Sequence, residues 1–472
     1  MNNLDNILLL TDSYKVSHYL QYPPKTEVVY SYFESRGGKF PKTLFFGLQY
    51  YLKTYLQGQV VTEEKIREAK KYFKCHFGNE KLFNEDGWRH ILTTHGGRLP
   101  VEIKAVPEGT VVDVSNVLMT IENTDPKCHW LTNYLETLCV QVWYGTSVST
   151  QSYYIKKMIT EFLEKTGDPS LVSFKLHDFG FRGVSSVESA GLGGCAHLVN
   201  FLGTDTMAAL VVANEIYGHG PDTKGQINLC AGYSIPATEH STITAWGKDH
   251  EKDAFENVLN QYPEGLVACV SDSFDIYNAC DKIWGTELKD KVMSRKGTLV
   301  VRPDSGDPKT VVVKVLDILG QKFGYTTNAK GYKVLDTHVR VIQGDGVNYE
   351  SIREILTATT AAGWSTDNLA FGCGGALLQA LTRDTQSFAF KCSSVTIDGV
   401  EHDVYKKPVT DDGKVSKAGR LCLIHDANRY VTIKDSHTET LSKYNQLQRV
   451  FLNGVITKEF TLQEVRDNSD KQ

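Results

Sequence analysis

Five short apolar runs between residues 173 and 371 each end in a polar loop. Ser173–Leu176 leads into His177-Asp178-Phe179, Leu266–Val270 into Ser271-Asp272-Ser273, and Leu299–Val301 into Arg302-Pro303-Asp304-Ser305-Gly306. Val339–Ile342 leads into Gln343-Gly344-Asp345-Gly346, and Leu369–Phe371 into Gly372-Cys373-Gly374-Gly375. Stretches with helical spacing of apolar residues lie around them: Gln151–Lys165, Asp249–Tyr262, Pro308–Phe323, Tyr349–Ala362 and Ala376–Arg383. This alternation predicts an α/β fold with parallel strands inside and helices outside. Strands that point functional side chains out of one end build a single site from several loops, as α/β barrels do. Asp307-Pro308 reads as a helix start with an N-cap acid and proline at the first helical position, and Gly375-Ala376 as another.

The flanks have a different pattern. Gly97–Asn123 is rich in Val, Ile and Thr around a Pro107-Glu108-Gly109 turn. Phe388–Leu462 alternates in short runs punctuated by Asp398-Gly399 and Asn453-Gly454, the dipeptides of tight hairpins. The expected organisation is therefore a β-rich domain built from both chain ends, residues 1–150 and 386–472, around an α/β barrel at 151–385. A barrel absorbs about 250 residues, so 472 residues accommodate both. Glu63–Phe77 reads as an amphipathic surface helix, and Asp467–Gln472 as a frayed tail.

The formal net charge of −5 argues against general nucleic-acid binding, so phosphate groups would be held by local Arg and Lys clusters. The ten cysteines are scattered with no C-x-x-C pair, so neither zinc nor a redox dithiol is suggested. Ile7–Leu10 is too short for a signal-peptide core, and no run approaches the roughly 18 apolar residues of a membrane span. A cytoplasmic enzyme, without membrane attachment, is the expectation.

Arg302 to Asp307 is the densest cluster, with a guanidinium for phosphate, a nearby carboxylate and a glycine turn that exposes backbone amides. Gly344-Asp345-Gly346 and Gly372 to Gly375 add two more such turns at successive strand ends. Asp272 and Asp275 could hold magnesium, which takes one or two carboxylates plus substrate phosphates; equally, Asp275 or Ser273 could cap the following helix. His177 to Gly183 offers Phe179 for stacking a flat heterocycle and Arg182 for gripping its edge, although Phe179 could equally be core. His240 could be an acid, base or nucleophile, or a structural hydrogen-bonder.

Seven ordered segments carry a resemblance: Leu10 to Tyr19, His177 to Ser186, Gly203 to Thr206, Pro236 to Trp246, Arg302 to Gly306, Gln343 to Gly346, and Leu381 to Asp384. Over nearly its whole length the chain resembles the nicotinamide phosphoribosyltransferase family of type II phosphoribosyltransferases. The resemblance implies a homodimer that joins nicotinamide to 5-phosphoribosyl 1-diphosphate, with Mg2+ and with ATP as a coupled co-substrate. It implies a pyridine ring between Phe179 and Tyr14 of the partner subunit, with Arg182, Asp205, Ser234 and Ser271 among the substrate contacts. Arg302 and Asp304 would face the ribose, and Asp275 with Asp304 would place magnesium. Arg36, Gly344, Asp345, Gly374, Gly375, Arg383, Lys391, Lys406 and Lys414 would surround the ribose and phosphates. His240 would be phosphorylated by ATP; with Asp205, Arg302 and Asp304 it completes the expected catalytic set.

Three departures from the family pattern stand out: Ala389 where a phosphate-contacting serine is usual, Phe181 in place of a tyrosine, and an added stretch at Thr223–Ala231. Competing readings are a nicotinate-using transferase, separated by the role of Asp205, and a non-catalytic protein on the same fold. A phosphate-binding oxidoreductase or lyase would need a flavin or a Schiff-base lysine that the sequence does not mark.

Overall fold

The computed structural model describes residues 5–220, 229–410, 415–427, 429–435 and 443–471. It divides into two compact units, one formed by Met1–Thr150, Ala213–Asp222 and Leu381–Gln472, the other by Gln151–Val212 and Thr223–Ala380. The units part after Thr150, and Ala213–Asp222 falls in the first of them. The reason is local: the Ile216 carbonyl accepts from Gln49 and Lys53, and the Tyr217 hydroxyl donates to the fully buried Glu108, all in the first unit.

The second unit is built on six parallel strands: β1 (Leu176–Asp178), β2 (Gly203–Thr204), β3 (Val267–Val270), β4 (Leu299–Arg302), β5 (Val339–Gln343) and β6 (Leu369–Cys373). Their order is β2-β1-β6-β5-β4-β3. The stretch from Tyr233 to Thr238 pairs with both edges. Thr204 N–H donates to Tyr233 O at 3.0 Å, and Thr238 N–H donates to Ala268 O at 3.0 Å. The ring of backbone is thus continuous, as a barrel requires. Ser173 lies in a 3-10 helix, Pro169–Phe174, so β1 begins three residues later than its apolar run suggests.

Side-chain alternation does the rest. Val267, Cys269, Leu299, Val301, Val339, Val341, Leu369 and Phe371 are each at most 2% exposed. Pro308–Phe323 buries Val311, Val312, Val315, Leu316 and Leu319, and it packs on β5 and on Tyr349–Ala361. Fully burying one such aliphatic side chain contributes roughly 1.5–3 kcal/mol. The alternate row, Ala268, Val300 and Ile342, clusters with Phe179, Ile235 and Ala370. A cavity of about 610 Å³ lies against this row. Phe179, Asp205, Ser234 and Arg302 line it, as do Lys175, Arg340 and Asp367.

The first unit is centred on a seven-stranded antiparallel sheet in the order Val400–Asp403, Phe388–Ile397, Thr26–Ser35, Val117–Asn123, Val101–Ala105, Gln448–Leu452, Val455–Ile456. Thr26–Ser35 pairs on one side with Phe388–Ile397, so both chain ends contribute, as expected. Asp398 and Gly399 have φ of 49° and 76°, and Asn453 and Gly454 have 49° and 82°, the positive values a two-residue hairpin turn needs. Glu63–Phe77 is a helix, capped by Thr62. The tail is not frayed from Asp467: Leu462–Asp470 is a helix, started by a Thr461–Glu464 capping box and burying Leu462 and Val465. Ala376–Arg383 is not one helix; a four-residue helix, Gly375–Leu378, is followed separately by a 3-10 turn at Arg383–Gln386. No helix among the described residues is long and apolar enough to cross a membrane.

Candidate active site

The carboxyl ends of the six barrel strands gather acidic and aromatic groups. At β1, Phe179 lies beside His177, with ring centroids 4.6 Å apart and planes tilted by 33°. A Cβ at Gly372 would fall 2.7 Å from the Phe179 ring, so glycine on β6 makes room for this aromatic face. After β2, Asp205 Oδ1 accepts from His177 Nε2 at 2.6 Å and from the Ser234 hydroxyl. Burial pushes the Asp205 carboxyl up, but the His177 and Ser234 hydrogen bonds outweigh burial and hold it below its ordinary value. Asp205, Ser234, Phe179 and Arg302 line the mouth of the cavity, while Arg182 is exposed on the turn Phe181–Gly183.

After β3 and β4, Asp272 is the organiser. Its Oδ1 lies 3.0 Å from His240 Nε2, and its Oδ2 accepts from Asp304 N–H at 3.1 Å and from the Ser305 hydroxyl. His240 begins the helix His240–Thr244, and its Nδ1 lies 3.9 Å from Asp304 Oδ2. Arg302 Nε lies 4.0 Å from Asp304 Oδ1. Burial raises the Asp304 carboxyl above its ordinary value; Arg302 and His240 oppose this, Asp272 and Asp345 add to it, and the net shift is upward. A Cβ at Gly344 would meet Asp304 Oδ1 at 2.8 Å, so glycine there lets the carboxylate keep its position.

Two expected residues are held by hydrogen-bond partners of their own. Ser271 is fully buried, donating to Cys269 O at 3.0 Å and accepting from Trp284 Nε1 at 3.1 Å, so it braces the loop instead of facing a substrate. Asp275 caps the following helix through Oδ1, which accepts from Tyr277 and Asn278 N–H at 2.9 and 3.0 Å. Glu251 was not legible as a site residue. It is 5% exposed, its Oε1 has no hydrogen-bond partner among the described residues, and burial with Asp275 and Asp272 pushes its carboxyl up to about 7. Gly374 and Gly375 follow β6 against Phe179 and Gly183, but the helix they open is too short to act as a dipole.

In the first unit the expected phosphate residues form a cationic group of their own. Lys391 lies on Phe388–Ile397 opposite Tyr32. Burial lowers its ammonium below the ordinary value, and Arg36, Lys406 and Arg383 lower it further against Glu136. Arg36 Nε is buried without a hydrogen-bond partner among the described residues. Ala389 is 7% exposed opposite Glu34, and Tyr14 is 61% exposed on the 3-10 helix Ser13–Leu20. Lys414 and residues 223–228 lie outside the described residues.

The description of the nicotinate phosphoribosyltransferase family matches residues 174–455, and that of the nicotinamide phosphoribosyltransferase N-terminal domain matches residues 6–103. The chain belongs to the nicotinate phosphoribosyltransferase family. Within that family it is 52% identical to a nicotinamide phosphoribosyltransferase of Xanthomonas campestris pv. campestris, over 100% of this chain and 99% of that protein. It is 31% identical to a protein of the same name from Acinetobacter baylyi, over 99% of this chain and 97% of the other. Two solved structures have the same fold. The nicotinate-nucleotide pyrophosphorylase of Pyrococcus furiosus has a TM-score of 0.60 at 17% identity, covering 100% of this chain and 96% of that one. Human nicotinic acid phosphoribosyltransferase has a TM-score of 0.54 at 13% identity, covering 98% and 93%.

Proposed function

We propose that this protein transfers the phosphoribosyl group of 5-phosphoribosyl 1-diphosphate to nicotinamide, releasing diphosphate and nicotinamide mononucleotide for NAD salvage. The observation that carries the choice of base is Asp205, a carboxylate kept ionised by His177 and Ser234 at the mouth of a cavity that Phe179 also lines. An ionised carboxylate accepts the N–H of a carboxamide and repels the carboxylate of nicotinate.

The pyridine nitrogen of nicotinamide has a free lone pair, so attack on the anomeric carbon requires no base. The new N–C bond forms as the C–O bond to diphosphate breaks, and the pair of electrons leaves with diphosphate. The protein must orient the reactants and stabilise charge on an electron-poor sugar carbon. Phe179 stacks the ring from one side, Tyr14 of the partner subunit from the other, and Arg182 meets the carboxamide edge. Asp304, held beside Arg302, faces the sugar. Gly344, Asp345, Gly374, Gly375, Arg36, Arg383, Lys391, Lys406 and Lys414 meet the ribose and phosphates.

Asp304 and Asp275 would hold Mg2+, with Asp272 close to Asp304. The fit is one of charge: Asp304 and Glu251 both have raised carboxyls among acidic neighbours, which a divalent cation would relieve. Bound there, the ion would neutralise charge on the departing diphosphate. For ATP, Asp272 takes His240 Nε2–H and leaves the Nδ1 lone pair as the nucleophile. Nδ1 would bond the γ-phosphorus while the bridging oxygen departs with ADP, and water would later cleave the phosphohistidine.

The test is competition between equal nicotinamide and nicotinate, with magnesium and 5-phosphoribosyl 1-diphosphate, read by mass spectrometry. Nicotinamide mononucleotide as the dominant product is the expected result. Nicotinate mononucleotide would overturn the role given to Asp205, and no mononucleotide at all would overturn the transferase reading.

A further inference from the structure

The geometry points to a second, separate site in this chain: a transition-metal site for a divalent ion such as zinc, formed by His90, His95 and Asp125. His90 lies in the helix Glu85–Thr94, just ahead of its last turn, and His95 is its C-cap. Asp125 follows the strand Val117–Asn123, some 30 residues further on. All three belong to the first unit, and none takes part in the chemistry proposed above.

The two imidazoles converge on one oxygen. His90 Nε2 and His95 Nε2 each lie 2.7 Å from Asp125 Oδ2, with ring centroids 5.6 Å apart and planes at 80°. The three ligand atoms all lie within 4.8 Å of one another. Tetrahedral zinc, with bonds of about 2.0–2.1 Å, sets its ligand atoms roughly 3.3 Å apart. Each nitrogen therefore needs to move about 0.6 Å from the carboxylate oxygen to admit an ion.

The surroundings orient Asp125 and His90 without using their donor atoms. Asp125 Oδ1 accepts Lys127 N–H at 2.9 Å, which turns Oδ2 toward the histidines. His90 Nδ1 lies 3.2 Å from the Thr94 hydroxyl. Metal at Nε2 requires the ring proton on Nδ1, and Thr94 Oγ1 can accept it there. Partners of this kind fix ring orientation and tautomer in metal sites. The side chains are 20%, 25% and 16% exposed, so water can reach a fourth position.

The ligand set decides the class of ion. Two imidazole nitrogens and one carboxylate suit zinc or its transition-metal neighbours, whereas magnesium and calcium prefer oxygen alone. A hydrogen-bonded clasp would spend two histidines on one acceptor oxygen. With a metal bound, every donor atom gains a bond and the helix is tied to the end of the sheet strand.

The experiment uses the full chain without a histidine tag, stripped of metal and titrated with Zn2+ and with Co2+ by calorimetry, the bound metal being counted by mass spectrometry. We expect one saturable equivalent per chain, a Co2+ spectrum with d–d bands and no thiolate charge-transfer band, and a higher melting temperature with Zn2+. His95→Gln and Asp125→Asn should each weaken binding by about tenfold or more while leaving the circular dichroism of the metal-free chain unchanged. No saturable equivalent in the unaltered chain overturns the site. Undiminished affinity in a His90→Gln/His95→Gln double variant does the same. Should the variants fail to fold, Co2+ on the unaltered chain still decides, because a thiolate band would put the metal on a cysteine such as the exposed Cys75.

Discussion

The barrel's strand ends and the antiparallel unit each crowd like charges, but of opposite sign. At the strand ends, burial together with Asp272 and Asp345 raises the Asp304 carboxyl against Arg302 and His240, and burial together with Asp275 and Asp272 raises that of Glu251. In the antiparallel unit, Arg36, Arg383 and Lys406 depress Lys391, with Glu136 as the opposing acid. Neither crowd helps its own unit fold, since like charges and buried polar atoms both cost stability. The difference between them is one of task. An acidic rim suits a cation and an electron-poor sugar carbon, and a basic cluster suits phosphate oxygens.

The sharpest way to break this comparison is Asp304→Ala. It should lower nicotinamide mononucleotide formation by about a thousandfold while the melting temperature stays level or rises, because a mutually repelling carboxylate is gone. A parallel loss of stability would mean that Asp304 serves the fold. Asp205→Asn should cost roughly ten- to a hundredfold in the preference for nicotinamide over nicotinate, measured as a ratio of kcat/KM values. In the unaltered protein, with its Asp205 carboxyl below the ordinary value, the same ratio should stay flat from pH 8 to pH 5. A preference that relaxes across that window would place the discriminating charge elsewhere. Asp272→Asn removes a charge-assisted hydrogen bond from His240, and about tenfold loss of ATP stimulation is expected with transfer in the absence of ATP largely spared. On the basic side, Lys391→Met should raise the KM for 5-phosphoribosyl 1-diphosphate several-fold, roughly the share of one phosphate contact, and leave kcat near its original value. A fall in kcat instead would move Lys391 from phosphate binding to the reacting centre.

Much of the barrel was legible because each of its longer strands is a mostly apolar, buried run that ends in a polar or glycine-rich loop. Gly203–Thr204 was not, since two residues carry no period. The join at Tyr233–Thr238 was hidden for a related reason: it pairs by isolated bridges and not by a ladder. In the site, Asp205, Arg302, Asp304 and His240 stood out as polar residues in recognisable segments. The roles of Asp272, His177 and Glu251 depend on what lies across the barrel mouth, and a one-dimensional pattern does not contain that information. Ser271 misled because its neighbours are polar, while its own hydroxyl turns inward to Trp284. His90, His95 and Asp125 were invisible together, being brought into contact only by the turn after a sheet strand.

The join that closes the barrel also carries Ser234 and stands just ahead of His240. Its backbone hydrogen bonds are two on each edge: Thr204 N–H to Tyr233 O and Tyr233 N–H to Leu202 O on one, Thr238 N–H to Ala268 O and Ala268 N–H to Pro236 O on the other. Segments held this way open at lower free energy than the ladders around them, so their amides exchange with solvent first. Heat inactivation should therefore begin as a local event. Deuterium uptake between Tyr233 and Thr238, and loss of turnover with it, should precede any change in the circular dichroism of the whole chain.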